Sequence, residues 1–191
     1  MSANPKHYYT LEEYFALEKV GHARYEYWDG DIVCMSGGTK EHAQIGGNIF
    51  GELYSQLKGR RCKVFTSEIA INTPAFPPYR YPDISVACGD MAFEKISGID
   101  TLVNPTVIFE VLSLSTEVAD RGRKLQAYRA IESLQEYVLV SQVRPQITHY
   151  VKQDNGEWQS FDISGLAVTL ILNSIGCNLS LQDIYDGIVF N

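Results

Sequence analysis

An α/β fold with a central mixed β-sheet flanked by helices is what this sequence predicts. Two helical patterns come early, short β-rich apolar runs fill the middle, and a basic helix precedes further strands near the end. Segments in this order bury their apolar faces by packing helices on a sheet. The 191 residues, 45% of them apolar, suffice for one hydrophobic core, and no repeat, low-complexity tract or Gly/Ser linker divides them. A single domain over residues 1–191 is expected, with its core at about 8–185.

Taken in order, Thr10-Leu-Glu-Glu13 is a capping box, followed by Tyr14, Phe15, Leu17 and Val20 at near-helical spacing. A helix is expected over about 10–20, ending near Gly21. Arg24–Trp28 and Asp31–Met35 flank Asp29-Gly30, a dipeptide suited to a type I′ hairpin turn. Residues 39–58 read as a long helix with Ile45, Ile49, Leu53 and Leu57 as its apolar stripe. Gly46, Gly47 and Gly51 are read as permitting close packing on a sheet, and Lys58-Gly59 as the stop signal. Strands are expected at about 62–66, 68–73, 83–88 and 106–112, with Pro74, Pro77 and Pro78 punctuating the loop after the second. Residues 89–104 lack a strong period and read as a loop with a short helix. A basic helix over Asp120–Ile131, a strand at Glu136–Val140 and a hairpin of Gln146–Lys152 with Glu157–Phe161 follow. A short helix from Ser180 to Tyr185 closes the chain.

The longest apolar stretches are about 6–7 residues, against the roughly 18 that a membrane span needs. The N-terminus, Met-Ser-Ala-Asn-Pro-Lys-His, lacks the apolar centre of a secretory signal. Cys34, Cys62, Cys88 and Cys177 form no CxxC pair and read as reduced core residues, which places the chain in the cytoplasm. A net charge of −7 counts against indiscriminate nucleic-acid binding. Basic residues still cluster, at Lys58–Lys63 and at Arg121-Gly-Arg123-Lys124 with Arg129 beyond.

The chemistry is carried by two acids. Asp83 opens one β-rich run and Glu110 lies inside another, Thr106-Val-Ile-Phe-Glu-Val-Leu112. A carboxylate buried in a strand is costly unless something positive meets it. Two on neighbouring strands make a cradle for a hard cation such as Mg²⁺ or Mn²⁺. Lys124 follows on the basic helix, with Tyr128 one turn further on the same face. Acid, acid and lysine around a metal point to phosphodiester hydrolysis, in which Lys124 orients or helps deprotonate the attacking water and offsets negative charge in the transition state.

These residues resemble a known family. Tyr25-Glu26 with Asp29-Gly30, Glu41-His42, Tyr81-Pro-Asp-Ile-Ser-Val86, Phe109-Glu-Val-Leu-Ser-Leu-Ser-Thr116 and Lys124-x-x-x-Tyr128-Arg129 are similar, in order, to the Uma2 family. The resemblance spans about residues 8 to 185 and implies a PD-(D/E)XK restriction-endonuclease-like core and a Mg²⁺- or Mn²⁺-dependent DNA endonuclease. It makes Asp83 and Glu110 the metal-binding acids, Lys124 the catalytic lysine and Glu26 an auxiliary catalytic acid. Where the parent pattern has its lysine, two residues after the second acid, this chain has Leu112; Leu114 stands where many relatives carry proline. Glu68 and the Val111 carbonyl are candidate further ligands. Converging acids of this kind predict weak stability without a divalent cation.

Other readings stay open. The chain could be an inactive nucleic-acid- or protein-binding module of the same fold, or a hydrolase of small phosphoesters, which its charge tolerates better than duplex DNA. A homodimer is open, since nucleases that cut both strands often pair two sites. His42, near a helix start, could approach the site or hydrogen-bond its neighbours, with a structural role the preferred reading, while His7, His22 and His149 show no zinc spacing. Trp28, Tyr79, Tyr81 and Tyr128 read as packing residues, with base stacking the alternative.

Overall fold

The computed structural model describes residues 7–21, 23–35, 37–113 and 116–190; Leu114 and His22 lie outside them. Helix α1 (Leu11–Val20) starts at the Thr10 capping box, in which Thr10 Oγ1 accepts from the Glu13 amide and Glu13 accepts from the Thr10 amide, and it ends at a left-handed Gly21. Strands β1 (Arg24–Trp28) and β2 (Asp31–Met35) form the expected hairpin. Its turn residues have φ of 48° at Asp29 and 92° at Gly30, both positive as a type I′ turn requires. Helix α2 (Lys40–Leu57) is capped by the Thr39 hydroxyl and buries Ile45, Ile49, Leu53 and Leu57 as its stripe predicts. The glycine reading fails here. A Cβ at Gly46, Gly47 or Gly51 would meet nothing within 4 Å, and Gly47 and Gly51 face solvent. Those glycines weaken the helix without enabling contact, so Gly47→Ala and Gly51→Ala should each stabilise the protein by about 0.5–1 kcal/mol in urea denaturation.

Strands β3 (Cys62–Thr66), β4 (Ala70–Asn72), β5 (Tyr79–Arg80), β6 (Ile84–Cys88), β7 (Phe93–Ile96), β8 (Ile99–Leu102) and β9 (Val107–Leu112) follow. The loop expected at 89–104 is thus the β7–β8 hairpin, turned by Ser97-Gly98 with φ of 51° and 95°. Next come α3 (Glu117–Ala119), a π-helical turn (Asp120–Lys124) and α4 (Leu125–Arg129), then β10 (Glu136–Ser141), β11 (Gln146–Lys152) and β12 (Trp158–Ser164). A β13 (Thr169–Leu172)–β14 (Cys177–Ser180) hairpin that the sequence reading missed precedes α5 (Leu181–Ile184).

The main sheet has the order β12-β11-β10-β9-β6-β3, parallel only between β9 and β10. It is the mixed sheet expected. Alternation along β9 sends Val107, Phe109 and Val111 to a core shared with α2 and α5. Ile108 and Leu112 go to the opposite core, with Leu125 and Tyr128 of α4. Glu110 lies between these last two in period and points to the α4 side. A second sheet, β5-β4-β8-β7, and a tyrosine-rich cluster around Tyr14, Tyr79 and Tyr81 hold α1 and the β1–β2 hairpin against the end of the main sheet.

Cys62 and Cys88 overturn the reduced-cysteine reading. They sit directly opposite in the β3–β6 register, with Cα atoms 4.0 Å apart, and form a disulfide. Pairing across a ladder brings together residues 26 apart in sequence, which CxxC spacing rules do not anticipate. Cysteine usage therefore no longer points to a reducing compartment. Among the described residues no helix is long and apolar enough to cross a membrane.

Candidate active site

β6 and β9 are antiparallel neighbours, with Ile84 paired to Phe109. Extending that register by one step sets Asp83 opposite Glu110, so the two strand acids meet at the end of one strand pair. The Asp83 Oδ2 atom accepts from the Val111 amide at 2.6 Å and lies 3.3 Å from His42 Nε2. That hydrogen bond holds the His42 pKa above its usual value against the opposing effect of burial. His42 thus approaches the site from the first turn of α2, one of the two placements the sequence left open.

Glu110 is 3% exposed. Its Oε1 accepts from Lys124 Nζ at 3.0 Å and from the Tyr128 hydroxyl at 3.0 Å, so the i, i+4 pair on the helix converges on one carboxylate oxygen. Leu112, where the parent pattern has its lysine, is instead packed in the apolar core. Glu26 arrives from the β1–β2 hairpin. Its Oε1 lies 3.5 Å from Lys124 Nζ and accepts from the Tyr81 amide, while Oε2 accepts from Trp28 Nε1 at 3.1 Å.

Asp120 is the residue sequence reasoning missed. Its Oδ1 lies 3.2 Å from Lys124 Nζ, and Asp120 is 1% exposed. The only signal available was its i, i+4 spacing to Lys124, which an exposed helix face also shows. The π-helical turn that spans Asp120–Lys124 widens the backbone by one residue, a device common at functional sites. Glu68 is not part of this cluster. It sits in the turn after β3, 73% exposed at the side chain, paired to Arg24. Both line a cleft of about 670 Å³ whose wall also includes Gly38, His42, Tyr81 and Asp83.

Three carboxylates (Glu26, Glu110 and Asp120) therefore gather around one ammonium, with Asp83 near enough to influence Glu110 and Asp120 and the buried Arg80 close enough to feel Glu26. Four acids thus lie close to only two strong bases, Lys124 and Arg80. Burial raises the Glu110 pKa well above its usual value; Lys124 opposes this, while Asp120, Asp83 and Glu26 add to it. Asp120 is raised too, chiefly by burial. Burial alone would lower the Lys124 pKa, but Glu110, Glu26 and Asp120 together hold it well above normal. Around Lys124 these carboxylates favour the charged ammonium in the metal-free protein.

This chemistry fits a divalent cation. The donors are hard oxygens and the acids outnumber the bases, with Asp120 Oδ1 already 3.2 Å from Lys124 Nζ. The ammonium of Lys124 now takes the place where Glu26, Glu110 and Asp120 converge, and among the described residues no set of three or more His, Cys, Asp or Glu stands ready as a metal cage.

Comparison with known proteins follows the same line. Residues 11–182 match the profile of Uma2, described as "Putative restriction endonuclease". The chain belongs to the Uma2 family. Among its relatives is the uncharacterised protein slr1290 of Synechocystis, 35% identical over 94% of this chain and 92% of that protein. A second Synechocystis protein, sll1609, is 29% identical over 82% of this chain and 88% of its own length. The fold is similar to that of a crystal structure from Anabaena variabilis described as "a putative nuclease belonging to DUF820", with a TM-score of 0.68 over 86% of this chain and 91% of that one, at 18% identity. The restriction-endonuclease-like Uma2 fold expected from the motifs is thus the fold found.

Proposed function

We propose that this Uma2 protein is a metal-dependent endonuclease that hydrolyses DNA phosphodiester bonds, in one restriction-endonuclease-like domain. Asp83 and Glu110 would hold Mg²⁺ or Mn²⁺, which when bound supplies Lewis acidity toward a phosphate oxygen and a more acidic water. Lys124 is held as a fixed positive charge by Glu110, Glu26 and Asp120, so its role is to offset negative charge that grows on the phosphorane oxygens. Tyr128 orients Glu110 through its hydroxyl. Glu26, itself fixed by the Tyr81 amide and the Trp28 indole, positions the ammonium. The cleft beside Asp83 and His42 offers a place for a nucleic-acid strand, with Arg24 as a phosphate contact. Work on DNA in the cytoplasm is part of the same reading, and rests on the substrate rather than on the cysteines.

The observation that supports this reading best is the Lys124–Glu110 contact on the strand next to Asp83. A supercoiled-plasmid assay tests it. Nicking should require Mg²⁺ or Mn²⁺ and should vanish in Asp83→Asn. Metal-dependent cleavage that persists in that variant rejects the assignment. Preference for a small phosphodiester over plasmid and single strands would replace the substrate class.

A further inference from the structure

Beside Trp28 lies a cavity of about 600 Å³ that the nuclease reading does not use. Its apolar wall includes Tyr27, Trp28, Phe76 and Pro77, and its cationic wall is Arg80 and Arg123. Both guanidiniums lie against the Trp28 ring, with Cζ 3.6 Å from the ring centroid for Arg80 and 4.3 Å for Arg123. Arg80 is 1% exposed. Its Nη1 donates to the Tyr79 carbonyl at 2.6 Å, while its Nε is buried with no acceptor. Burial works against its charge, and Glu26 is the largest influence that supports it. Asp29, from the hairpin turn, also lines the cavity.

Two guanidiniums on one wall suit an oxyanion, with Arg123 the more accessible donor and the buried Arg80 adding positive charge behind it. Flat apolar walls beside it suit a ring. A volume of this size holds a small ligand. We infer that this cavity is a nucleotide subsite, with Arg123, backed by Arg80, taking the phosphate, the Tyr27–Phe76–Pro77 wall taking the base, and Asp29 accepting from a base N–H. The same chemistry arises from a free nucleoside monophosphate or from one nucleotide of a bound strand. Nucleotides are preferred over other anionic ring compounds because of the nuclease reading, whose failure would appear in the plasmid assay and not in the binding measurement below. Trp28 links the two places, since its Nε1 donates to Glu26 Oε2 while its ring carries both guanidiniums.

Trp28 is also the reporter. The chain has two tryptophans, so Trp158→Phe leaves Trp28 alone. Deoxyadenosine monophosphate, deoxyadenosine, inorganic phosphate and a short single-stranded oligonucleotide would each be titrated against its emission. The inference expects saturable binding of the monophosphate, at least about tenfold tighter than either the nucleoside or phosphate alone. Arg123→Gln and Phe76→Ala should each weaken it several-fold at an unchanged melting temperature; both side chains are partly exposed, so folding should tolerate the change. Oligonucleotide binding about tenfold tighter than monophosphate assigns a strand nucleotide, and equal affinities assign the free nucleotide; either supports the subsite. No saturable response, phosphate binding as tight as the monophosphate, or unchanged affinity in Arg123→Gln overturns it.

Discussion

Replacing Lys124 with methionine is expected to abolish cleavage and to cost the metal-free protein about 3–5 kcal/mol, because it leaves buried carboxylates without their counter-charge. The lysine is 5% exposed and lies within 3.5 Å of Glu26, Glu110 and Asp120. Sequence alone suggests that the protein folds without any one of Asp83, Glu110 or Lys124; the geometry separates the lysine from the acids. Glu110→Gln keeps acceptors for Lys124 and Tyr128 while removing one unit of surplus negative charge, so it should lose activity yet hold or gain stability. Urea denaturation of the two variants should therefore move in opposite directions. The sign of the pH dependence follows. The acids left behind by Lys124→Met can take up protons at low pH, so its penalty should shrink as pH falls from about 8 to about 5. A penalty independent of pH would point to lost packing rather than to charge.

The second large effect is stabilisation by divalent cation. Glu110 and Asp120 have folded pKa values above their usual ones. Groups of that kind favour the folded state most below the ordinary carboxylate range, near pH ~4, and lose that contribution as pH rises through the raised folded values. The metal-free protein should therefore weaken toward neutral and alkaline pH. A cation that binds only the folded form at a hundredfold excess over Kd adds about 2.7 kcal/mol. For a chain of this size that corresponds to a rise of roughly 5–10 °C in Tm. The rise should grow with pH, because protons compete for the same oxygens, and it should be absent in Asp83→Asn and Glu110→Gln. Differential scanning fluorimetry with Mg²⁺, Mn²⁺ and a chelator control reads all three features. An equal rise in those variants would place the cation elsewhere.

Much of the positioning was legible from local chemistry. The Thr10–Glu13 capping box, the Asp29-Gly30 turn and the apolar stripe of α2 each act within a few residues, so their signals lie close together in the chain. Glu110 stood out because an acid amid Val-Ile-Phe and Val-Leu has no exposed face to use. What stayed hidden depends on contacts between distant segments or on local signals with more than one reading. Cys62 and Cys88 meet only once β3 and β6 pair. Asp120 pairs with Lys124 at an i, i+4 spacing that buried and exposed helix faces share alike. The Arg80–Trp28–Arg123 arrangement joins a hairpin, a two-residue strand and the π-helical turn, and no spacing rule connects them. Glu68 looked strand-bound and proved to be a turn residue because β4 starts two positions later than its apolar pattern suggested.

Anomalous diffraction from a crystal grown or soaked with Mn²⁺ tests the central claim most directly, since it locates the ion without relying on activity. The account predicts a peak within coordination distance of the Asp83 and Glu110 carboxylates, at about 2.0–2.2 Å, and its loss in Glu110→Gln. Binding of Mn²⁺ only at surface acids, away from the Asp83 and Glu110 carboxylates, would contradict it.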